Sequence, residues 1–374
     1  PYVIVGYIYP NIKRRTVILS YIAASFSAAC IAGPLVGGWI VDALSWHWVF
    51  YINVPLGLIS IILSFIFYRD VHKAKEKVHF DKMGAFTLIA GLSWLLDGIQ
   101  MLGLARGIKV ADFVIIGIAL LVAFIFVEKK ADSPVVPLSV FMNKALVGDF
   151  ILFALAWGAY ISVNTYLPMW AQALLGLSAL LGGMTLIPNS IVEIIASQSL
   201  AAIQDHLTTF KLVFIGIFAM LISSAGMFFA DLHMPIQLLA AIGAFSGIGV
   251  GFIFVALQLK VQIDAGLKNM ATATSTSYLI RILAQTVMAA VYGVIMNLNL
   301  ASGVSSHPGI TITMMNKLSD AKSAKLLPQN LVPTMRNILH SGIKEIMLVS
   351  VILLVIALVL NFYFNFGKKQ KKLQ

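Results

Sequence analysis

Long apolar stretches, separated by shorter polar segments, recur along almost the whole chain. A membrane-spanning helix needs about 20 mostly apolar residues to cross about 30 Å of hydrocarbon. Ten stretches approach or exceed that length, and no alternation of apolar and polar residues is sustained as it is in a membrane β-barrel. The ten predicted spans are Val17–Leu44, Trp48–Tyr68, Gly84–Leu104, Phe113–Val127, Ala145–Leu167, Leu180–Ile203, Leu212–Ala230, Ile236–Leu259, Ala271–Met296 and Ile346–Phe366.

The amino-acid composition leads to the same interpretation. Hydrophobic residues make up 60% of the 374 residues and charged residues 11%, whereas soluble domains average about 45–50% and about 25%. So few charges cannot cover the surface of a soluble protein, and the sequence therefore predicts an all-α integral membrane protein. The single cysteine, Cys30, excludes an intramolecular disulfide and any cysteine-based metal cluster.

Lysine and arginine are distributed unevenly between the two sides of the predicted membrane. If Lys13–Arg15 lies in the cytoplasm and the sides alternate, 18 of the 26 basic residues are cytoplasmic. The short outer loops then hold only Arg106 and Lys109, in agreement with the positive-inside rule. The net charge of +11 thus needs no nucleic-acid partner. The bias predicts a multi-pass protein of the cell membrane whose Lys368–Lys372 tail is cytoplasmic.

Two polar segments interrupt the predicted spans. The charged stretch "RDVHKAKEKVHFDKM", which begins at Arg69, is a predicted cytoplasmic linker, and binding of lipid headgroups is an alternative use for its basic residues. The second segment, 297–342, is a predicted long outer loop. Four of its apolar residues share one helical face and predict a short amphipathic helix on the membrane surface. These residues are Leu331, Met335, Ile338 and Leu339.

Small residues repeat every four positions on two of the predicted spans. Lipid tails are as apolar as leucine, so helices in a bilayer associate by close packing, and small residues at this spacing let backbones approach. The two stripes are Ser25, Ala29, Gly33 and Gly37, and Gly243, Gly247 and Gly251. Pro34 and Gly38 lie beside the first stripe, and the proline is expected to kink that helix. Pure packing and a gate at which helices slide or rock are both open interpretations.

The stretch "AGPLVGGWIVDALSWHWVFYINVPLG", residues 32–57, resembles the fifth and sixth helices of drug:proton antiporters of the major facilitator superfamily. Its glycine–proline pair, Gly33 and Pro34, and its double glycine, Gly37 and Gly38, match the antiporter motif of helix five. The segment "SWHWVFYINVPLG" is similar to the short outer turn and the start of helix six. This pairing is typical of the fourteen-helix branch of these exporters.

The resemblance extends over nearly the whole chain. "FDKMGAFTL" is similar to the entry of the extra helix pair of that branch, and Tyr166–Pro188 resembles the turn between helices nine and ten. Arg281 lies where the family often has an arginine in helix thirteen. Two motif glycines are replaced by the small residues Ala29 and Ser20. Helices one to three and most of helix four have no counterpart in this sequence.

The resemblance implies a helix bundle of the major facilitator type, with about ten of fourteen expected transmembrane helices. Residues 1–68 then form the end of the N-terminal bundle, 69–144 the linker and inserted helix pair, and 145–374 the C-terminal six-helix bundle. It also implies proton-coupled export of amphipathic or cationic drugs by alternating access, in which two bundles rock about a central site. The implied partners are small amphipathic molecules, protons and the lipid bilayer, and the energy comes from a proton gradient rather than from a cofactor.

Four of the charged residues inside predicted spans are candidates for a functional role, because placing a charge in a span is costly. Glu193 follows a proline well inside its span and is the best candidate for a carboxyl group that exchanges a proton for a cation. Burial favours the neutral carboxyl, whereas a bound cation favours the ionised form. Arg281 is deep in its span and has Glu193 as a candidate partner. Asp149 and Asp97 are nearer to helix ends. The alternative interpretation of Glu193 is that it lies near the cytoplasmic end of its helix and its side chain only extends to the membrane surface.

Three polar or aromatic residues, Trp157, Tyr160 and Asn164, share one face of a predicted span. They are candidates for the wall of a substrate cavity, although aromatic residues on such a helix also pack in cores or against lipid.

Other functions stay open at this point. The same scaffold can export a metabolite, an amino acid or a siderophore, and a chain that lacks four helices can be a membrane protein without transport activity. An enzyme is disfavoured, because the sequence has no HExxH or GxSxG motif and no paired acidic or histidine cluster. We expect no catalytic residue and no metal site.

The predicted orientation can be tested with single cysteines introduced after Cys30→Ala. We expect a cysteine at Ser305 to react with an impermeant thiol reagent in intact cells and a cysteine at Gln370 to be protected, because the basic loops hold the tail inside. Labelling of the two positions is read by mass shift. The reverse pattern would contradict the orientation.

Overall fold

The structure is a computed structural model. It describes residues 5, 8–9, 11–45, 47–67, 81–101, 108–131, 134, 136, 138–204, 206–318 and 321–366. Within these ranges the fold is all-α, and no strand occurs. The side chains of several helical residues, Cys30 and Pro34 among them, lie outside the described part.

Fourteen helices are described in these ranges. They are α1 (Ile12–Ala43), α2 (His47–Tyr51), α3 (Asn53–Phe67), α4 (Lys82–Met101), α5 (Ile108–Glu128), α6 (Lys144–Met169), α7 (Ala179–Met184), α8 (Ile187–Ile203), α9 (Thr209–Phe229), α10 (Ile236–Leu267), α11 (Asn269–Ser306), α12 (Ile312–Leu318), α13 (Ala321–Ala324) and α14 (Val332–Asn365). Most of the described residues of the ten predicted spans lie on these helices. Eight helical segments of the described chain are long and apolar enough to cross a membrane, and α1 and α4 are helices outside that set.

Local sequence explains several helix ends. Asn143 and Thr208 cap α6 and α9, because each side-chain oxygen accepts a hydrogen bond from a backbone N–H in the first turn. After Pro168, α6 continues into a single π-helical turn, Trp170–Leu174. Near the end of α10, Gly266 interrupts the helical backbone before α11 begins. Its φ of 66° and ψ of 169° are a combination that glycine adopts most readily.

The core is formed by α6, α8, α9, α10, α11 and α14. Buried hydroxyl groups connect three of these helices. The Ser350 hydroxyl of α14 donates to the backbone oxygen of Ala159 on α6 at 3.2 Å and lies 3.0 Å from the Ser224 hydroxyl of α9. Such bonds satisfy polar groups where lipid offers no partner. Phe153, Ala156 and Leu354 are fully buried within the same core.

Helices α4 and α5 pack tightly against each other. A Cβ atom on Gly117 would lie 2.6 Å from the backbone nitrogen of Leu95, and one on Gly98 would lie 2.8 Å from the side chain of Val114. By contrast, α2 and α3 have no buried residue among the described ones. The proposed division of the chain into an N-terminal part, an inserted pair and a C-terminal bundle stays a prediction, since most of the linker lies outside the described residues.

Helices occupy both ends of the predicted long outer loop, 297–342, because α11 continues to Ser306 and α14 begins at Val332. The position of this segment outside the membrane stays a prediction. The predicted surface helix is the first part of α14. Met335 and Leu339 are buried in its contact with the core, because the apolar face meets protein rather than a lipid surface.

The glycine stripe of α10 offers a test of the packing. A Cβ on Gly247 would collide with the backbone oxygen of Asn189, which cannot swing aside as a side chain can. We expect Gly247→Ala to lower the free energy of unfolding by about 1–3 kcal/mol, measured by thermal unfolding in detergent. Gly293→Ala is the matched control, because no atom lies within 4 Å of its added Cβ. Equal stability of the two variants would contradict the close approach of α8 and α10.

Candidate functional site

Glu193 lies where α8 and α10 approach most closely. The backbone nitrogen of Glu193 is 2.9 Å from the position of a Cβ on Gly247, and its backbone oxygen is 2.8 Å from that of a Cβ on Gly251. The side chain of Glu193 is 3% exposed. The third glycine of the stripe, Gly243, faces the side chain of Leu167 on α6. The stripe therefore brings α8 against α10 around an acidic residue buried in the bundle.

One turn before Glu193, Asn189 extends this polar region. Its side-chain amide donates to the Tyr160 hydroxyl of α6 at 3.4 Å, and Asn189 is 1% exposed. Its Oδ1 atom is buried without a hydrogen-bond partner among the described residues. Asn189 was not among the predicted site residues. Its spacing of four residues from Glu193, which places both on one helical face, is the sequence feature that could have indicated it.

Helix α1 contacts α8 through polar groups at its N-terminal end. The Thr16 hydroxyl donates to the side-chain oxygen of Gln204 at 2.8 Å, and the Ser20 hydroxyl donates to the backbone oxygen of Ser197 at 2.7 Å. The Ser20 hydroxyl thus joins α1 to the backbone of α8.

The antiporter-motif glycines of α1 have different surroundings. A Cβ on Gly38 would lie 2.8 Å from the Cα atom of Leu180 on α7, whereas no atom lies within 4 Å of a Cβ on Gly33 or Gly37. The structure describes Pro34 only as part of the helix. Among the described residues, close contact thus occurs at Gly38 and not at Gly33 or Gly37, and the gating role of these residues stays a prediction.

Arg281 is enclosed by aromatic rings. Its guanidinium carbon lies 4.9 Å from the ring centre of Phe153, 5.3 Å from Trp157, 4.8 Å from Phe254 and 5.4 Å from Tyr278. We call these four rings the aromatic box. The electron-rich ring faces attract a cation and lower the cost of holding one in an apolar bundle. Arg281 itself is 3% exposed.

Gln258 of α10 forms a hydrogen bond with the guanidinium group of Arg281. Its side-chain oxygen accepts hydrogen bonds from the Arg281 guanidinium at 3.4 Å and from the Ser277 hydroxyl at 3.3 Å. One turn further along α10, Gln262 accepts a hydrogen bond from Arg15 of α1 at 3.5 Å. Neither Gln258 nor Gln262 was among the predicted site residues. Two amide side chains four residues apart near an apolar span are the sequence feature that could have indicated them.

Asp149 of α6 forms an ion pair. The Lys260 ammonium of α10 lies 2.7 Å from the Asp149 carboxylate and 2.8 Å from that of Asp264. Asp149 is fully buried, while Lys260 and Asp264 retain partial exposure. The Asn143 side chain also donates to the backbone oxygen of Asp264 at 3.1 Å. These bonds join the start of α6 to the end of α10. Because the predicted span ended at Leu259, Lys260 was assigned to a cytoplasmic loop and was not recognised as the partner of Asp149.

The predicted site residues fall into separate groups. Tyr160 adjoins the Asn189–Glu193 region, and Trp157, one turn earlier on α6, belongs to the aromatic box. Asn164 is half-buried on the same helix, and Asp97 is exposed on α4 and makes no hydrogen bond or ion pair with a described residue. The pairing of Arg281 with Glu193 stays a prediction.

This helix bundle, which holds buried charges between its helices, is similar in sequence to known membrane proteins. A family model described as the Major Facilitator Superfamily matches residues 1–316. The chain belongs to the Major Facilitator Superfamily. It is thus a member of a family of membrane transporters rather than an enzyme, and the predicted family and fold class are confirmed.

Several relatives in this superfamily are named as multidrug transporters. Multidrug resistance protein 3 of Bacillus subtilis is 29% identical over 318 residues, which cover 83% of this chain and 58% of the relative. Multidrug transporter protein MdtP of the same organism is 29% identical over 86% of this chain and 56% of its own length. Multidrug efflux pump SdrM of Staphylococcus aureus is 29% identical over 67% and 56%. The chain spans little more than half the length of these relatives.

The ion pair between α6 and α10 makes a prediction about stability. Replacing Lys260 with methionine leaves the buried Asp149 carboxylate without its ammonium partner, so we expect a loss of about 3–5 kcal/mol in the free energy of unfolding. Unfolding of the detergent-solubilised protein by heat or denaturant measures the change.

Two further variants control for loss of packing. The double variant Lys260→Met with Asp149→Leu removes both charges and should recover most of the stability. Asp264→Asn changes the more exposed carboxylate and should cost only about 0–1 kcal/mol. A double variant as unstable as Lys260→Met alone would contradict the electrostatic explanation.

Proposed function

We propose that this chain is the greater part of a proton-coupled exporter of amphipathic or cationic drugs that works by alternating access. Membership of the Major Facilitator Superfamily and the multidrug names of the relatives support drug export as the activity. In this mechanism, Glu193 alternates between binding a proton and binding the cationic group of the substrate. The proton gradient supplies the energy, and small amphipathic molecules, protons and lipid are the partners.

The observation that carries the proposal is the position of Glu193. Glu193 is buried inside a bundle of spanning helices, its backbone packs against Gly247 and Gly251 of α10, and it lies one helical turn after Asn189, which contacts Tyr160. Burial favours the neutral carboxyl, and a cation beside it favours the ionised form, so the two ligands oppose each other at one group. That opposition is the minimum that coupled exchange requires.

The other acidic candidates are less suited to exchange. Asp149 is already paired with the Lys260 ammonium at 2.7 Å, so its carboxylate has a charged partner within the protein. Asp97 is exposed on α4, away from the six-helix core. We therefore assign Asp149 a structural role and no role to Asp97 in proton transfer.

The contacts of α1 provide a basis for the conformational change. Helix α1 meets α8 through Thr16 and Ser20 and meets α7 at Gly38. Sliding of α1 along these polar and small-residue contacts is the movement that we assign to the rocking of two bundles. We propose the cytoplasmic membrane as the location, with the C-terminal tail inside.

The proposal predicts that Glu193→Gln abolishes pH-driven uptake of a cationic dye into inverted membrane vesicles. The amide keeps the shape of the side chain but can neither release a proton nor pair with a cation. The rate of ethidium accumulation under an imposed proton gradient, in vesicles containing the full-length gene product, is the measurement. We expect a decrease of at least about tenfold, which corresponds to loss of one charge interaction of about 1.4 kcal/mol or more.

Asp97→Asn is the matched control, because it makes the same chemical change at an exposed acidic residue. It should transport ethidium at the rate of the unaltered protein. Glu193→Asp should retain partial activity with a shifted pH profile. Unchanged rate and pH dependence in Glu193→Gln would contradict the assignment of Glu193.

A further inference from the structure

Arg15 of α1 is buried, although its neighbours in the sequence are exposed. Lys13 and Arg14 face the solvent, whereas Arg15 is 5% exposed. All three belong to the basic segment that predicts the cytoplasmic side of the membrane, a signal for which exposed charges are sufficient. Burial of a guanidinium costs free energy unless the protein compensates the charge. The burial of Arg15 therefore points to a role beyond topology.

Arg15 contacts the turn that connects α10 to α11. Its guanidinium donates hydrogen bonds to the side-chain oxygen of Gln262, near the end of α10, at 3.5 Å and to the backbone oxygen of Tyr9 at 3.0 Å. The sulfur of Met270, in the first turn of α11, lies 4.0 Å from the same guanidinium. Arg15 thus joins the first turn of α1 to the predicted cytoplasmic ends of two other helices.

Thr16 makes a second connection, from α1 to α8. Its side chain is fully buried, and its hydroxyl donates to the side-chain oxygen of Gln204 at 2.8 Å. Gln204 directly follows α8 and lies about 16 Å along that helix from Glu193, in the predicted cytoplasmic direction. We call the four residues of these two connections the α1 clasp: Arg15, Thr16, Gln204 and Gln262.

The turn that Arg15 contacts is also fixed to α6. Lys260 lies 2.7 Å from the Asp149 carboxylate, and the Asn143 side chain donates to the backbone oxygen of Asp264 at 3.1 Å. These bonds make the end of α10 move together with α6. The contacts between this turn and α1 are therefore the ones that change when α1 moves relative to α6.

We propose that the α1 clasp closes the cytoplasmic side of the protein and that it opens and forms again in each transport cycle. This inference rests on the proposed alternating access and adds the residues that control entry from the cytoplasm. Closing removes the Arg15 guanidinium from water, and opening hydrates it. The cost of this burial offsets part of the gain from the hydrogen bonds, which keeps the closed state from being permanent.

A cysteine at Ser197 reports whether the clasp is open. Ser197 is fully buried on α8, between the clasp and Glu193. The measurement is its rate of labelling by an impermeant methanethiosulfonate reagent, in inverted vesicles that contain the full-length gene product with its native cysteines replaced by alanine. No substrate or proton gradient is present. We expect Arg15→Ala to increase this rate by about tenfold, because it removes the contacts that keep the clasp closed.

Two variants accompany Arg15→Ala. Arg14→Ala is the matched control, because it removes the same charge at an exposed neighbour, and it should leave the labelling rate unchanged. Thr16→Val removes the hydrogen bond to Gln204 but retains the shape of the side chain. It should increase the rate by about threefold, and it serves if Arg15→Ala does not fold.

Gln262→Glu distinguishes a gate from a contact that only supports the fold. The new carboxylate should pair with the Arg15 guanidinium and hold the clasp closed, so labelling of the cysteine at Ser197 should slow by about threefold or more. Damage to the packing would accelerate labelling instead. The proposal is wrong if Gln262→Glu is labelled faster than the unaltered protein, or if Arg15→Ala and Thr16→Val are labelled at its rate.

The outcome is independent of the test of Glu193, because labelling requires neither transport nor a proton gradient. The expected labelling rates together with unchanged pH-driven transport in Glu193→Gln overturn proton exchange at Glu193 and leave the clasp standing. Loss of transport in Glu193→Gln together with unchanged labelling in Arg15→Ala and Thr16→Val overturns the clasp alone.

Discussion

The low polarity of the bilayer interior is the constraint on which this structure depends. A charged or polar group that leaves water there must be compensated by the protein itself. The described residues meet this requirement in three ways. Arg281 is surrounded by aromatic faces, Asp149 is paired with Lys260, and serine hydroxyls bond to backbone oxygens of neighbouring helices. Each of these interactions also determines which helices lie next to each other. The same contacts therefore compensate the polar groups and pack the bundle.

Glycine makes the closest of these contacts. Because α8 and α10 touch through backbone atoms at Gly247 and Gly251, the carboxyl-bearing turn of α8 is held against a surface without side chains. Backbone contact leaves little freedom for α8 to shift relative to α10. The glycines of α10 therefore hold the turn of α8 that carries Glu193 firmly in the core.

Most of the fold was predictable from the sequence, because hydropathy and length alone locate spanning helices. Most of the described residues of the ten predicted spans are helical, and the buried position of Glu193 agrees with its place well inside one of them. The full lengths of α11 and α14 were not predictable, because polar residues lower the hydropathy of helical ends that continue beyond the apolar stretch. Partners were harder to predict. Neither the Asp149–Lys260 pair nor the contacts of Arg281 with the rings of α6 and α10 follow from spacing, since each joins residues that are over 20 positions apart on different helices.

The central claim is that a proton and a substrate cation compete for the Glu193 carboxyl group. Proton release on ethidium binding, measured by calorimetry of the full-length protein in buffers of different ionisation enthalpy, tests it most directly. We expect ethidium to release a proton from the unaltered protein near neutral pH, and we expect Glu193→Gln to release one proton fewer at the same occupancy. Identical proton release by the two proteins, with ethidium bound to both, would contradict the claim.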